Sequence, residues 1–160
     1  MIAVIADTHM PKGERRLPGR CLRLLAEAEA VIHAGDFLAA SVLEELRAIC
    51  PVVHAVHGNV DEPPLRRELP EALEVELGGH TVAVVHDAGP AKGRLARLRA
   101  RFAAAEAVVF GHSHLPLHEE EDGFQIFNPG SPTERRRSPR RSMGLLSCER
   151  PGLVFRHVWL

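Results

Sequence analysis

The chain has 160 residues, 45% hydrophobic and 26% charged, with a formal net charge of −1. That length suits one domain, 1–160, with a substantial core, and the composition excludes a disordered chain. A charge this close to zero gives no global signal for nucleic acid or a membrane surface.

Residues 2–6 are uniformly apolar and short, which predicts a buried parallel strand. Helical spacing follows over 19–29, with Leu22, Leu25 and Ala26 on one face, then a strand over 30–34. A second helix is expected over 40–49, with Ser41 as N-cap and Glu44 and Glu45 in its early turns. Residues 52–56 form a third strand. This alternation implies right-handed crossovers and a mainly parallel sheet. The stretch 60–72, with Pro63, Pro64 and Pro70, reads as a surface loop. Leu73–Leu77 and Thr81–Val85 flank Gly78-Gly79, a hairpin signal. An Arg/Ala-rich amphipathic helix is expected over 91–105 and a buried strand over 107–110. Three late strands, 124–127, 144–147 and 154–158, with a turn at Gly152, read as antiparallel material of a second sheet.

Ten histidines are many for this length, while tyrosine is absent and tryptophan occurs once. The excess hints at metal chemistry. Cys21, Cys50 and Cys148 are odd in number and form no CxxC pair, so buried free thiols in a reducing compartment are expected rather than a zinc knuckle or disulfide framework. The apolar start reads as a first strand and not a signal peptide. No apolar run reaches membrane-spanning length. A soluble, cytoplasmic protein that does not engage a membrane is expected.

The chemistry gathers where the strands end. Ile2–Ala6 leads into Asp7-Thr8-His9, and Ala30–Ala34 into Gly35-Asp36. Val52–Val56 leads into His57-Gly58-Asn59, Thr81–Val85 into His86, and Ala107–Phe110 into Gly111-His112-Ser113-His114. In an α/β fold the C-terminal strand edge is where ligands bind. Taken singly, each piece has an ordinary explanation. Asp7 caps a turn, Gly35-Asp36 and Gly58-Asn59 are turn chemistry, and a lone His86 is structural. Together, five strand ends deliver seven side chains of metal-ligating type: Asp7, His9, Asp36, Asn59, His86, His112 and His114. That recurrence favours a metal site over coincidence.

The order and spacing of these blocks resemble the calcineurin-like metallophosphoesterases. The similarity runs from Ile5-Ala6-Asp7-Thr8-His9 through His33-Ala34-Gly35-Asp36, His57-Gly58-Asn59-Val60-Asp61, His86 and Gly111-His112-Ser113-His114 to Asn128-Pro129-Gly130-Ser131-Pro132. It is closest to the small single-domain phosphodiesterase branch, which includes the scaffold subunit of retromer. The resemblance implies a four-layer αββα sandwich, two facing mixed sheets with helices outside. It implies two divalent ions. Asp7, His9, Asp36 and His114 would hold the first, and Asp36, Asn59, His86 and His112 the second. A shared Asp36 carboxylate would offset the repulsion of cations about 3.5–4 Å apart. The mixed N/O donor set suits Mn, Fe, Co, Ni or Zn better than Mg or Ca. The family often works with manganese, so Mn is the expected ion. The implied reaction is phosphoester hydrolysis, foremost of phosphodiesters, by a metal-bridging hydroxide attacking phosphorus in line. Asp36, Asn59 and His112 would serve catalysis directly, with Asp61 orienting a ligand or a water.

Two departures stand out. Many relatives follow the metal-binding asparagine with a histidine that protonates the leaving group. Val60 stands here, as is common in the small branch, and His57 is the candidate substitute. After His86, relatives often continue Gly-His, whereas this chain has Asp87-Ala88-Gly89. Asn128–Ser131 is expected to form a tight loop beneath the site. The run Glu134–Arg141 is read as a flexible, solvated loop before it is read as a phosphate or nucleic-acid contact. No stacking aromatics surround it, which weakens single-strand nucleic acid binding. His33, His54, His80, His118 and His157 receive no role. The expected partner is a small-molecule phosphoester, with self-association into a homo-oligomer left open. Three rivals remain: a phosphomonoesterase or nucleotide hydrolase on the same metals, a nuclease, and a non-catalytic protein-interaction scaffold. Eroded ligands would favour the scaffold, and none of the seven is missing.

Overall fold

The computed structural model describes residues 1–149 and 152–160. Its elements run β1 (Ile2–Ile5), α1 (Gly19–Ala26), β2 (Ala30–His33), α2 (Ala40–Ile49), β3 (Val53–Ala55), α3 (Pro63–Glu68), β4 (Ala72–Leu77), β5 (His80–Val85), α4 (Arg94–Arg101), β6 (Ala107–Phe110), β7 (Leu117–Glu121), β8 (Phe124–Asn128), β9 (Ser142–Glu149) and β10 (Gly152–Trp159). Among the described residues the strands form two mixed five-stranded sheets, ordered β10-β9-β1-β2-β3 and β4-β5-β6-β8-β7.

Strand alternation explains the layers. Ile2 and Val4 point into a core shared with Val82, Val84, Ala107, Val109 and Phe127 of the other sheet. Ala3 and Ile5 point the opposite way and pack with Cys21 and Leu25 of α1, Val42 and Leu43 of α2, and Leu65 of α3. On the outer face of the second sheet, Val108, Phe110 and Ile126 meet Leu98 and Phe102 at α4. The molecule is thus an α/β sandwich of four layers with helices outside, as the sequence implied.

The differences from the sequence reading have physical causes. The late strands do not make one antiparallel sheet. β9 and β10 pair antiparallel with each other and extend the first sheet beside β1, while β8 runs parallel to β6 in the second. The loop expected over 60–72 contains α3, because Pro63 and Pro64 occupy its first positions, where a missing N–H costs nothing. β7, Leu-His-Glu-Glu-Glu, was not foreseen. It is a polar edge strand held by its ladder with β8. Helix α1 stops at Ala26 and buries Cys21 and Leu25, leaving Leu22 40% exposed. Ser41 lies inside α2. Ala39 is the N-cap, and the Glu62 carboxylate accepts the Ala40 N–H at 2.6 Å. The expected hairpin is present, with Gly78 and Gly79 at φ +59° and +88°, as a two-residue turn of this hand requires. The turn expected at Gly152 involves residues 150 and 151, which lie outside the described residues; Gly152 itself opens β10. Cys21, Cys50 and Cys148 are free; the first two are buried as expected, whereas Cys148 is only partly buried. No helix among the described residues is long and apolar enough to cross a membrane.

Candidate metal centre

β1, β2 and β3 run parallel in one sheet, and β5, β6 and β8 run parallel in the other. Each sheet therefore presents its C-terminal strand ends along one edge, and the segments beyond them carry the seven side chains. Asp7, His9, Asp36, His86 and His114 are buried, whereas Asn59 and His112 stand at the solvent edge. The cluster is a floor with a two-residue rim.

The ligand atoms converge. Asp36 Oδ2 lies 3.3 Å from His9 Nε2 and 3.3 Å from His86 Nε2. Asp7 Oδ1 lies 3.7 Å from His114 Nε2 and 4.0 Å from His9 Nε2. At the rim, Asn59 Oδ1 is 3.1 Å from both His86 Nε2 and His112 Nδ1. Asp7, His9 and His114 form one group able to hold an ion, and Asp7, Asp36 and His86 another.

The protonation chemistry fits a cation. His86 Nδ1–H donates to the Ala34 carbonyl at 2.8 Å, so its Nε2 lone pair faces two oxygens that can only accept. Asp7 Oδ2, His9 Nε2 and both ring nitrogens of His114 are buried with no hydrogen-bond partner. Buried polar groups without a partner cost free energy, and a positive charge satisfies the acceptors among them. Burial pushes the Asp7 carboxyl up to about 7; His86 opposes this shift and Asp36 adds to it. Burial also pushes Asp36 upward, but contacts with the imidazoles of His86 and His9 outweigh it and hold Asp36 well below the usual carboxylate range. Burial lowers the His86 ring, yet its contact with Asp36 raises it on balance. Burial, with Arg136 nearby, lowers His114 to about 4, leaving the neutral ring a metal needs.

The backbone is bent to present these groups. Asp7, His9, Asp36, His112 and His114 all have positive φ, between 46° and 67°. Such strain in non-glycine residues clusters where surrounding structure enforces it. Glycines admit the close approaches: a Cβ on Gly35 would stand 2.8 Å from His86 Nδ1, and one on Gly58 would collide with Asp36. Asp61 locks the Asp36 turn, accepting N–H groups of Asp36 (3.1 Å), Leu38 (2.7 Å) and Gly58 (2.7 Å). At the end of β8, Asn128 Nδ2 donates to the Gly111 carbonyl at 2.8 Å, and in the loop that follows Ser131 Oγ donates to the Asp7 carbonyl at 2.8 Å. The loop over 128–131 therefore ties β6 to β1 beneath the cluster, as expected.

His57 stands apart from the ligand cluster, with its Nδ1 3.3 Å from the Gly58 carbonyl oxygen. It lines a cleft of about 320 Å³ with Asn59, Arg66, Glu71, His86 and Asp87. Two nearby residues escaped the sequence reading. His33 is fully buried, stacked on Phe37, with Nε2 3.2 Å from Thr8 Oγ1 and Nδ1 accepting the Gly35 N–H. Glu134 Oε2 lies 3.6 Å from His114 Nδ1, and its Oε1 meets Arg15 at 3.0 Å. The arginines of the segment over 134–141 are exposed, as expected of a solvated run, but Ser138 anchors it. Ser138 is buried, its N–H donating to the Arg135 carbonyl at 2.7 Å and its hydroxyl to the Arg140 carbonyl at 2.8 Å.

Comparison with known proteins agrees with this geometry. The model of the calcineurin-like phosphoesterase superfamily domain matches residues 1–151. A probable metallophosphoesterase of Methanothermobacter thermautotrophicus is 31% identical over 135 residues, covering 83% of this chain and 77% of that protein. A phosphodiesterase of Methanocaldococcus jannaschii is 24% identical over 144 residues, covering 81% and 82%. The crystal structure of Entamoeba histolytica Vps29 complexed with zinc superposes with a TM-score of 0.77 at 22% identity, covering 99% and 98% of the two chains. The strand-edge cluster, the two-sheet sandwich and the match along nearly the whole chain lead to one conclusion: this protein belongs to the calcineurin-like phosphoesterase superfamily.

Proposed function

We propose that the protein is a binuclear-metal-dependent phosphodiesterase. The observation that carries this reading is the single oxygen Asp36 Oδ2, equidistant at 3.3 Å from His9 and His86. In this reading Asp7, His9, Asp36 and His114 hold one ion, Asp36, Asn59, His86 and His112 hold the other, and Asp36 is shared. Manganese is the first choice, with Fe, Zn, Ni or Co compatible with the same donors. When bound, the ions supply an activated water at neutral pH and positive charge for the phosphoryl oxygens. The phosphodiesterase name of one relative supports the substrate class.

The side chains have distinct tasks. Exposed Asn59 and His112 form the rim that a phosphoester meets first. The Ala34 carbonyl fixes the His86 tautomer and aims its Nε2 inward. Asp61 holds the Asp36 turn and so positions the shared carboxylate. Val60 brings no proton donor, and His57 lines the adjoining cleft as the candidate acid. Esters with good leaving groups are therefore favoured.

The test is a metal-by-substrate screen of chelator-stripped protein, using bis- and mono-nitrophenyl phosphate. Faster turnover of the diester with added Mn is expected. Strong preference for the monoester would replace this reading with a phosphomonoesterase. Bound metal with no turnover on any ester would favour a protein-interaction scaffold.

A further inference from the structure

The β1–α1 loop and the β8–β9 loop meet beside the candidate centre. Between them lies a cleft of about 470 Å³ lined by Arg15, Arg16 and Arg141, with Thr133 and one carboxylate, Glu14. Arg15 and Arg16 are neighbours in the chain, but Arg141 lies far from them in sequence, and folding brings it to their side. The Leu160 N–H donates to the Arg141 carbonyl at 2.9 Å, which anchors that side. Arg15 Nη2 is engaged by Glu134 at 3.0 Å, but Arg15 Nη1 is buried with no partner. Arg16 and Arg141 are exposed at the cleft wall, where their guanidinium N–H groups can meet an anion directly.

The cleft adjoins the metal-ligating turns. Thr133 Oγ1 donates to the Thr8 carbonyl at 2.7 Å, between Asp7 and His9. Glu134 links Arg15 to the His114 ring. The cleft on the other flank carries Glu71 and Asp87 beside Arg66. An anionic substituent is thus repelled on that side and attracted on this one.

We propose that the Arg15–Arg16–Arg141 cleft binds a second phosphate of the substrate, one that is not cleaved. The preferred substrate is then a small phosphodiester whose retained alcohol carries a phosphate monoester. This rests on the phosphodiesterase reading only for the identity of the cleaved bond.

Two measurements test it. The first compares two nitrophenyl phosphodiesters, identical except that the retained alcohol bears a phosphate or a free hydroxyl. The Mn-loaded protein should prefer the phosphorylated diester by at least ~10-fold in KM, and Arg16→Gln/Arg141→Gln should erase most of that preference. Equal KM values for the two diesters, or a preference untouched by the double variant, would overturn the proposal. The second needs no turnover: calorimetric titration of inorganic phosphate into chelator-stripped protein. Binding that the double variant loses supports the subsite even if no diester is hydrolysed. Absence of binding to the parent protein, or binding the variant keeps, overturns it. Arg141→Gln alone serves if the double variant does not fold.

Discussion

Asp61 grips the turn that carries Asp36: its Oδ2 accepts the Asp36 N–H at 3.1 Å and the Gly58 N–H at 2.7 Å, while Oδ1 takes Leu38. Asp61→Ala leaves three N–H groups without an acceptor, at ~1–3 kcal/mol each before relaxation. Expected are a lower melting temperature in chelator-stripped protein and metal affinity reduced ~10–100-fold. A variant that melts and binds metal like the parent would show that the turn holds itself.

Asp36→Ala should remove metal loading and turnover together, with more than ~100-fold loss of activity. Elemental analysis beside a diester assay checks both. Two ions retained at full turnover would refute the shared-carboxylate assignment.

His112 faces Asn59 Oδ1 across 3.1 Å, whereas His57 Nδ1 lies near the carbonyl oxygen of its neighbour Gly58. His112→Ala is therefore expected to cost more diesterase activity than His57→Ala. The reverse order in kcat/KM would make His57 the central acid.

Glu134→Gln keeps the shape but removes the negative charge 3.6 Å from His114 Nδ1. Weakening of metal binding by about tenfold is expected in competition with a chelating dye. An unchanged isotherm would reduce Glu134 to a surface partner of Arg15.

His33 gives the pH prediction. Burial lowers its ring from 6.5 to about 3. The unfolded chain takes up this proton below 6.5 and the folded chain does not, so the stabilising contribution is complete above 6.5 and drains away as pH falls toward 3. The slope for one such group is ~1.4 kcal/mol per pH unit. Chemical denaturation across that window should show a flatter acid limb in His33→Gln, and parallel limbs would contradict it.

What the sequence showed and hid follows from range. Short apolar runs ending in Asp7, Asp36, Asn59, His86 and His112 were legible because burial and polarity change within one or two residues. Sheet membership was not, because parallel pairing of β8 with β6 depends on partners far along the chain. α3 was masked by Pro63 and Pro64, which stop a helix from within yet open one at its start. β7 was masked because its Glu-rich residues face solvent and only the ladder to β8 makes it a strand. Glu134 and His33 were invisible for the same reason: one reaches His114 and the other Thr8, across 20 and 25 residues.

The left-handed turns at Asp7, His9, Asp36, His112 and His114 carry a further meaning for engineering. Each sets an L-residue where glycine is more at ease, by ~1–2 kcal/mol. A campaign selecting only for heat resistance would be drawn to glycine at these very codons. It would harvest a hardier shell with its working part deleted, so thermal screens on this scaffold need a metal-retention step beside them.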